Sequence, residues 1–377
     1  MPIRIAVPHE TTPGECRVAL IPAVVDQLVK QGVQVRLQAG AGCPAYYRDR
    51  DYTSAEIVAD RAALLGDADI VLTVNPLAVE DVGLLREDAT VIGFMHPHEY
   101  DDRIIALRDR NITSFAMELI PRISRAQNMD ALSSQASIGG YKAALMAANL
   151  TARFFPMLTT AAGTIRPAKV LVIGVGVAGL QAIATAKRLG AMVEAYDVRP
   201  ETREQVESLG AKFVDVKVSA VGEGGYAREL SAEEKAQEME VLAQHVAQAD
   251  AIISTAGVPG RPAPKIITTA MVEQMKPGAV IIDLAAYSGG NCELTIPGES
   301  FGHELVMIYG PLNVPAMMPV HASEMYAKNL YNFLALIVHD GAIRPDWEDE
   351  IVAGSLLTRD RQIYHALTRQ RIEGGDL

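Results

Sequence analysis

Hydrophobic positions in the first third of the chain alternate between short apolar runs, typical of buried strands, and stretches with helical spacing. The apolar runs predict strands at residues 3–7, 33–37, 70–74, 91–95 and 112–117. Helices are predicted between them, and one begins at Pro22, because the fixed φ of proline suits the first position of a helix. Strands that alternate with helices in this way predict a parallel α/β sheet.

A second alternation is organised around residues 169–199, where an apolar run, a glycine turn, a helical stripe and another apolar run follow one another. In such a unit Gly174 makes the tight turn, Gly176 lets backbone N–H groups approach a pyrophosphate, and Gly179 lets the helix pack close to the strand. Further strands are predicted at residues 213–216, 251–254 and 280–284. The pattern predicts a doubly wound nucleotide-binding domain, and the alternative is a glycine-rich turn with a structural role only.

The second strand of this unit ends on Asp197, where a carboxylate can accept hydrogen bonds from an adenosine ribose. The carboxylate would repel a 2′-phosphate, which favours NAD(H) over NADP(H). Arg199 weakens this preference, because a nearby arginine is how NADP sites balance the extra charge. The nucleotide contacts predicted in this unit are Gly174, Gly176, Val177, Ala178, Gly179, Asp197, Val198 and Arg199.

A polar stretch at residues 119–137 interrupts the alternation and holds hydroxyl, amide and charged groups, as functional loops often do. An alternative role for Asp130 or Ser133 is to cap a long helix, which the pattern predicts from about residue 130 to residue 155. Capping and ligand contact are compatible. The candidate ligand contacts in this stretch are Arg122, Gln127, Asp130 and Ser133.

Two further segments define the expected domain organisation. Residues 218–228 contain three glycines and Tyr226, which predicts a mobile loop able to close over a ligand. From residue 313 a helical pattern resumes, and we expect it to return to the first domain. The fold class expected is therefore α/β, with two Rossmann-like doubly wound parallel-sheet domains: residues 1–133 and 313–377 form the first, discontinuous domain, and residues 134–312 form the nucleotide-binding domain. The apolar stripe of the returning helix is Met325, Leu330, Phe333, Leu334 and Ile337.

Composition narrows the possible partners. No run of about 18 uncharged apolar residues occurs, so no segment should insert into a membrane, and the N-terminus lacks the plan of a signal peptide, which places the chain in the cytoplasm. The formal net charge of −12 argues against nucleic acid and anionic lipid as partners, because both need a basic face. Cys16, Cys43 and Cys292 are odd in number and widely spaced, which predicts free thiols.

Other candidate side chains follow strand ends, where sheets of this class form ligand clefts. His96 either lines such a cleft or is a buried, hydrogen-bonded histidine, and with His98 alone it makes too incomplete a ligand set for a metal, so none is expected. Arg17 either binds a substrate carboxylate or pairs with nearby acids. Ala256 and Gly257 are candidates for the nicotinamide side, although turn geometry explains the glycine equally well.

Five stretches of the chain resemble a single family. Residues 121–127, 174–190, 197–199, 224–227 and 289–291 are similar to the NAD(H)-binding alpha component of the proton-translocating nicotinamide nucleotide transhydrogenase, in its short form without membrane helices. The resemblance implies a homodimer that docks on a membrane-spanning component and an NADP(H)-binding component, at the inner face of the cell membrane.

The resemblance also implies a reaction, in which hydride passes directly between NADH on this chain and NADP⁺ on the partner component, with Si-specific/Re-specific stereochemistry. The membrane component would couple this transfer to proton translocation. The resemblance assigns the positioning of the dihydronicotinamide and its ribose to Arg122, Gln127, Asp130 and Ser133. The remaining candidate cofactor contacts are Gly225 and Tyr226, within the stretch 224–227 that carries the resemblance, together with Ala256 and Gly257 named above.

Alanine dehydrogenases are the nearest relatives of that family and provide the main alternative. They use a lysine at the end of the third strand and an aspartate before a Gly-Gly pair, but here those places hold Thr73 to Asn75 and Tyr287. Deamination needs such proton-transfer groups, whereas hydride exchange between two nicotinamides does not. The chain also departs from the transhydrogenase pattern at residues 96–100 and 285–288. A sensor that binds NAD(H) without reacting is the third possibility.

Overall fold

The computed structural model describes residues 2–215, 232–257, 260–339 and 341–374, with only the backbone described at residues 232–236 and 238. The chain divides into two compact units, one made of Met1–Gln135 with Pro315–Leu377 and the other of Ala136–Val314. The predicted mobile loop with Gly225 and Tyr226 lies outside the described residues.

The N-terminal portion of the first unit is built from alternating strands and helices. Its parallel strands lie in the order β3-β2-β1-β4-β5-β6, which is a Rossmann-like order that reverses between β1 and β4. The strands are β1 (Arg4–Val7), β2 (Gln34–Gln38), β3 (Glu56–Val58), β4 (Ile70–Leu72), β5 (Thr90–Gly93) and β6 (Thr113–Ala116). The helices are α1 (Pro22–Lys30), α2 (Arg61–Gly66), α3 (Val79–Leu84) and α4 (Asp101–Asp109).

The chain passes into the second unit within α5 (Ala131–Leu150). The helix is shorter than predicted, since the sequence pattern extended it to residue 155. It ends because the backbone N–H of Ala152 donates to the carbonyl of Gly278 at 3.3 Å and the Thr151 hydroxyl donates to the carbonyl of Asp250 at 3.4 Å. A tertiary hydrogen bond of the Ala152 N–H therefore replaces a helical one at this point, whereas the Thr151 N–H still donates to the carbonyl of Ala147.

The second unit contains a seven-stranded sheet among its described residues, in the order β11-β10-β9-β12-β13-β15-β14, with only β14 antiparallel. Its strands are β9 (Lys169–Ile173), β10 (Met192–Tyr196), β11 (Lys212–Phe213), β12 (Ala251–Ser254), β13 (Val280–Asp283), β14 (Ser300–His303) and β15 (Val306–Tyr309), and a separate hairpin is formed by β7 (Leu158–Thr160) and β8 (Gly163–Ile165). Its other helices are α6 (Val177–Arg188), α7 (Arg203–Ser208), α8 (Ala232–Gln248) and α9 (Thr269–Glu273).

The C-terminal segment rejoins the first unit. Strand β18 pairs antiparallel with β6, which extends the first sheet to eight strands among the described residues. The elements are α10 (Pro319–Ile337), β16 (Val338–His339), β17 (Ala342–Ile343), α11 (Glu350–Ser355), β18 (Leu356–Arg359), β19 (Gln362–Ile363) and α12 (Ala366–Glu373). Most of the predicted α10 stripe is buried, but Met325 is 37% exposed and lies off the buried face, on which the polar residues Ser323 and Asn329 lie instead.

The α/β class and the Rossmann-like arrangement predicted from the sequence are confirmed. Strand β3, helix α3 and the β7–β8 hairpin were not predicted, because each is short and the two strand elements have little buried face to give a pattern. Within the described parts of the chain, no helix is long and apolar enough to cross a membrane.

Candidate active site

The glycine turn after β9 closes in a way that only glycine permits. Gly174 has φ +88°, and a Cβ added there would lie 2.9 Å from the backbone nitrogen of Ala256. A Cβ at Gly179 would lie 1.9 Å from the carbonyl oxygen of Gly174, so the helix approaches the turn too closely for any side chain. A Cβ at Gly176 would meet nothing within 4 Å, which leaves open space beside the turn.

Helix α6 begins directly after this turn and presents an uncapped N-terminus. Gly176 is the N-cap, and no side chain accepts a hydrogen bond from the first turn. The N–H groups of the first helical turn, which includes Val177, Ala178 and Gly179, point out of the N-terminus and carry its partial positive charge. The arrangement fits a pyrophosphate, for which these N–H groups would be donors.

Asp197 follows β10 and is tied to the glycine turn. Its carboxylate accepts from the backbone N–H of Val175 at 2.7 Å and from the backbone N–H of Arg199 at 2.9 Å. The Arg199 guanidinium adds two hydrogen bonds, of 2.9 and 3.0 Å. Burial by itself would raise the pKa of Asp197, but these hydrogen bonds lower it below its usual value, so the side chain is ionised at neutral pH.

The ion pair between Asp197 and Arg199 also fixes the direction of the Arg199 guanidinium. The Asp197 side chain is 6% exposed, whereas the Arg199 side chain is 53% exposed and has its guanidinium folded back onto the carboxylate. Val198 between them is exposed. The sequence left open whether Arg199 would serve a 2′-phosphate, and in the structure its charge is balanced by Asp197.

The end of β12 is held beside the glycine turn by buried polar groups. The Thr255 hydroxyl donates to the Gly174 carbonyl at 2.9 Å. Asn291 is fully buried; its amide donates to the Ala256 carbonyl at 2.7 Å and its oxygen accepts from the Ala256 N–H at 3.0 Å. The candidates Ala256 and Gly257 therefore lie on a fixed turn. The sequence analysis missed Thr255 as a support and quoted Asn291 only within a motif.

Gly140 on α5 is a further residue that the sequence analysis missed. A Cβ at this position would lie 2.0 Å from the carbonyl oxygen of Ala178, in the first turn of α6. The only signal was the pair Gly139-Gly140 inside a helical pattern, where glycine is unfavourable unless packing requires it. Gly140 thus lets α5 lie directly against the N-terminus of α6.

The polar segment of the first unit carries exposed polar side chains on a buried base. Residues Ser124–Met129 form a 3-10 helix in which Ala126 and Met129 are buried. Arg122 and Gln127 are exposed, and neither side chain has a hydrogen-bond partner among the described residues. Their guanidinium and amide groups are therefore available to a ligand.

Asp130 has a structural role at the start of α5. Its carboxylate accepts from the backbone N–H of Ser133 at 2.9 Å and from the Ser133 hydroxyl at 2.5 Å. Of the two residues that the sequence offered as caps, Asp130 is the one that caps the helix. Neither residue is fully exposed, and Ser133 remains a possible ligand contact through its hydroxyl oxygen.

The carboxyl edge of the first sheet holds buried acids. Glu10 accepts from the backbone N–H of Val74 at 2.6 Å, and the Asn75 amide donates to Glu15 at 2.9 Å. Arg17 is buried and donates to both carboxylate oxygens of Glu15, at 2.6 and 2.8 Å. Two roles were considered for Arg17, binding of a substrate carboxylate and pairing with nearby acidic residues. The structure shows Arg17 paired with Glu15.

His96 follows the end of β5 by three residues and has an unusual backbone conformation. Its φ is +45°, its backbone N–H donates to Glu118 at 2.6 Å, and its side chain is 40% exposed. Burial lowers the pKa of its imidazole, and Arg17 and Arg103 lower it further, against the opposing effect of Glu99. His96 is therefore not a fully buried histidine, and it is neutral at pH 7.

Glu118 offers a pH-dependent prediction. Burial raises its pKa to about 7, against hydrogen bonds from the backbone N–H groups of His96 and Met95, and its second oxygen is buried without a partner. Because the folded pKa exceeds the unfolded one, the stability this group contributes is present below about pH 4.5 and is lost as the pH rises through 7. The neutral variant Glu118→Gln should raise the free energy of unfolding at pH 8 by on the order of 1–2 kcal/mol. This is less than the full pKa shift would give, because Glu118 is not fully buried and solvent screens part of the effect.

Thermal unfolding at pH 4.5 and pH 8 tests this prediction, because the gain should appear only at the higher pH. Glu15→Gln is the matched control with the opposite sign. Burial would raise the pKa of Glu15, but its bonds to Arg17 lower it to about 2, so its loss should destabilise the chain at pH 8. Destabilisation by Glu118→Gln at pH 8 would contradict the prediction.

Comparison with known proteins gives matches over nearly the whole chain. The models of the alanine dehydrogenase/PNT N-terminal and C-terminal domains match residues 6–139 and 143–366. The chain is 47% identical to an NAD(P) transhydrogenase alpha-subunit protein of Rhodospirillum rubrum, over 98% of this chain and 100% of that protein. It is 29% identical to alanine dehydrogenase of Mycobacterium tuberculosis, over 84% of this chain and 82% of that protein.

Solved structures agree with this result. The crystal structure of a transhydrogenase from Sinorhizobium meliloti is similar with a TM-score of 0.87 and 42% sequence identity, and the match covers 96% of this chain and 99% of that one. The likeness therefore extends to the fold over 96% of this chain.

Proposed function

The chain belongs to the alanine dehydrogenase/PNT family and, within it, to the NAD(P) transhydrogenase alpha subunits. From this premise we propose that it binds NAD(H) and exchanges hydride with NADP(H) held by a partner component. The observation that carries the proposal is that Arg122 and Gln127 are exposed and have no side-chain hydrogen-bond partner among the described residues, in a segment held in place by the buried Ala126 and Met129. Such groups can orient a nicotinamide without taking part in proton transfer.

The adenosine half of the nucleotide would bind at the glycine turn and at Asp197. The N–H groups of Val177, Ala178 and Gly179 would hold the pyrophosphate, and the ionised Asp197 would accept from the ribose hydroxyls. We propose that the remaining cofactor contacts are made by Gly174, Gly176, Val198, Arg199, Gly225, Tyr226, Ala256 and Gly257.

The nicotinamide end of the nucleotide would lie at the polar segment. NADH supplies the hydride, and the chain contributes orientation, because direct transfer needs donor and acceptor carbons about 3–3.5 Å apart and little water between them. We propose that the Gln127 amide and the Arg122 guanidinium orient the dihydronicotinamide and its ribose, with the Ser133 hydroxyl as a further contact. Asp130 fixes the start of α5 and thereby the position of Ser133. We propose Asp130 as a further contact to the ribose, because capping the helix is compatible with binding a ligand.

Features at the carboxyl edge of the first sheet favour hydride exchange over amino-acid oxidation. Arg17, the cation that could bind a substrate carboxylate, is paired with Glu15. Asn75 stands near the place where the alanine dehydrogenase pattern has a lysine, and its amide is bound to Glu10 and Glu15. Among the described residues, this edge offers no lysine to protonate a leaving amine or an imine.

The variant Gln127→Asn tests the proposed role of the polar segment. Shortening the side chain by one methylene moves the amide away from its ligand, so exchange with an NADP(H)-loaded partner component should fall by about 10-fold or more. NADH affinity measured by calorimetry should change little, and neither parent nor variant should reduce NAD⁺ in the presence of alanine. Ser124→Ala is the control, because Ser124 is exposed in the same 3-10 helix and should leave exchange intact.

Two results would count against this assignment. Unaltered exchange in Gln127→Asn would mean that the segment only starts a helix. Binding of NADH by the parent without any exchange would instead favour a sensor of NAD(H).

We propose that the chain acts as a homodimer that docks on an NADP(H)-binding component and a membrane-spanning component at the inner face of the cell membrane. The exposed β7–β8 hairpin supports self-association, because a two-stranded hairpin is marginally stable alone and this one displays Met157, Leu158 and Ile165. Light scattering should give twice the mass of one 40.5 kDa chain. A mass near 40.5 kDa at micromolar concentration would argue against the dimer.

A further inference from the structure

Asn329 is a polar residue on the buried face of α10. It is 7% exposed and lies one turn from the buried Tyr326 and Phe333, on a face that otherwise packs in the core of the first unit. An amide in such surroundings is costly unless both of its polar atoms are hydrogen-bonded. An amide at this position therefore requires hydrogen-bond partners for both its nitrogen and its oxygen.

Both polar atoms of Asn329 bind the segment that contains Gln127. The amide nitrogen donates to the carbonyl oxygen of Asn128 at 2.9 Å, and the amide oxygen accepts from the hydroxyl of Ser134 at 2.8 Å. Asn128 adjoins Gln127 in the 3-10 helix, and Ser134 lies in the first turn of α5 beside Ser133. One side chain thus holds both ends of the stretch that runs from Gln127 to Ser133.

Neighbouring contacts strengthen this attachment. Asn332, one turn further along α10, also donates to the Asn128 carbonyl, at 3.0 Å. Gln135 donates to the Ser134 hydroxyl at 3.2 Å and accepts from Arg17 at 3.0 Å. Asn329 is the member of this set that contacts both sides of the stretch.

We propose that Asn329 is a positioning residue for hydride transfer, which fixes the backbone at Asn128 and thereby the direction of the Gln127 amide. The inference rests on the proposed function, since it concerns the rate of the exchange reaction. Asn329 itself touches neither nucleotide in this account. Its loss should therefore lower turnover and leave the affinity for NADH nearly intact.

The experiment compares exchange turnover, KM for the nucleotide, NADH affinity and thermal unfolding among four variants of the full chain. Asn329→Ala removes both bonds, and the nearly isosteric Asn329→Asp keeps the acceptor for Ser134 but lacks the donor to Asn128. Both should lower turnover by about 10-fold or more, with little change in NADH affinity. Asn332→Ala should have a smaller effect, and Lys328→Ala, on the exposed face, should have none.

Hydrogen exchange of the backbone amides of residues 124–130 gives a second readout, which needs no partner component. Amide hydrogen exchange in these residues should be faster in Asn329→Asp than in the parent, and unchanged in Lys328→Ala. Parent-like turnover in both Asn329 variants, or parent-like amide exchange in Asn329→Asp, would overturn the inference. If the parent itself shows no hydride exchange, the proposed function fails, and the amide measurement still decides whether Asn329 fixes the segment.

Discussion

Replacing Gly140 by alanine is expected to weaken NADH binding by about 100-fold, which corresponds to about 2.7 kcal/mol. The added Cβ would lie 2.0 Å from the carbonyl oxygen of Ala178, which is backbone and cannot rotate away. Helix α5 or the first turn of α6 must then move. Because the N–H groups of that turn are the proposed pyrophosphate donors, a shift of the turn misaligns several hydrogen bonds together.

Gly139→Ala provides the matched control for this prediction. A Cβ at Gly139 would meet nothing within 4 Å, and alanine favours a helix over glycine by about 1 kcal/mol. This variant should bind NADH like the parent and unfold at a slightly higher temperature. Calorimetric titration with NADH and thermal unfolding of both variants are the measurements, and equal NADH affinities in Gly140→Ala and Gly139→Ala would disprove the packing argument.

Asp197→Ala is expected to shift the ratio of NADPH to NADH affinity by about 100-fold in favour of NADPH. The substitution removes the charged acceptor for the ribose, and such hydrogen bonds contribute about 1.5–3 kcal/mol. It also releases Arg199, whose guanidinium is bound to Asp197 at 2.9 and 3.0 Å and is already half exposed. The freed guanidinium can then pair with a 2′-phosphate.

The double variant Asp197→Ala/Arg199→Ala separates the two contributions. If Arg199 is the phosphate partner, the double variant should lose the gain in NADPH affinity and keep the loss in NADH affinity. Arg199→Ala alone should leave the preference for NADH in place. Equal affinity of the parent for the two nucleotides would remove the role assigned to Asp197.

The nucleotide turn was predictable because its determinants are local in sequence. An apolar run is followed by Gly174, Gly176 and Gly179 and then by a helical stripe, and the next strand ends on Asp197. This local pattern predicts the βαβ unit without knowledge of the rest of the chain. The identity of the family, given by the motifs, was confirmed by the comparisons. The roles of Arg122 and Gln127 came from that resemblance, and they remain predictions.

Features that depend on contacts distant in sequence were not predictable. Gly140 is required by a carbonyl 38 residues away, at Ala178, and nothing in the local pattern of α5 reveals that approach. Asn329 interrupts an apolar stripe and could equally have faced solvent. Which way the Arg199 guanidinium turns, toward its own Asp197 or toward a ligand, likewise depends on three-dimensional geometry.

The buried acids illustrate the same limit for charge. Nothing in the residue pattern shows that burial raises the pKa of Glu10 and of Glu118 to about 7, while Glu15, also buried, has its pKa lowered to about 2 by Arg17. The sign of each shift follows from its hydrogen-bond partners, which only the fold brings together.

Transfer of an isotopic label tests the central claim most directly. NADH that carries deuterium at the transferred position is mixed with this chain and an NADP⁺-loaded partner component in ordinary water, with alanine and pyruvate absent. Direct exchange predicts that the deuterium appears in NADPH without loss to solvent and at a rate that Gln127→Asn lowers. Loss of the label to water would contradict the account. So would NAD⁺ reduction in a separate assay that contains only this chain, NAD⁺ and alanine.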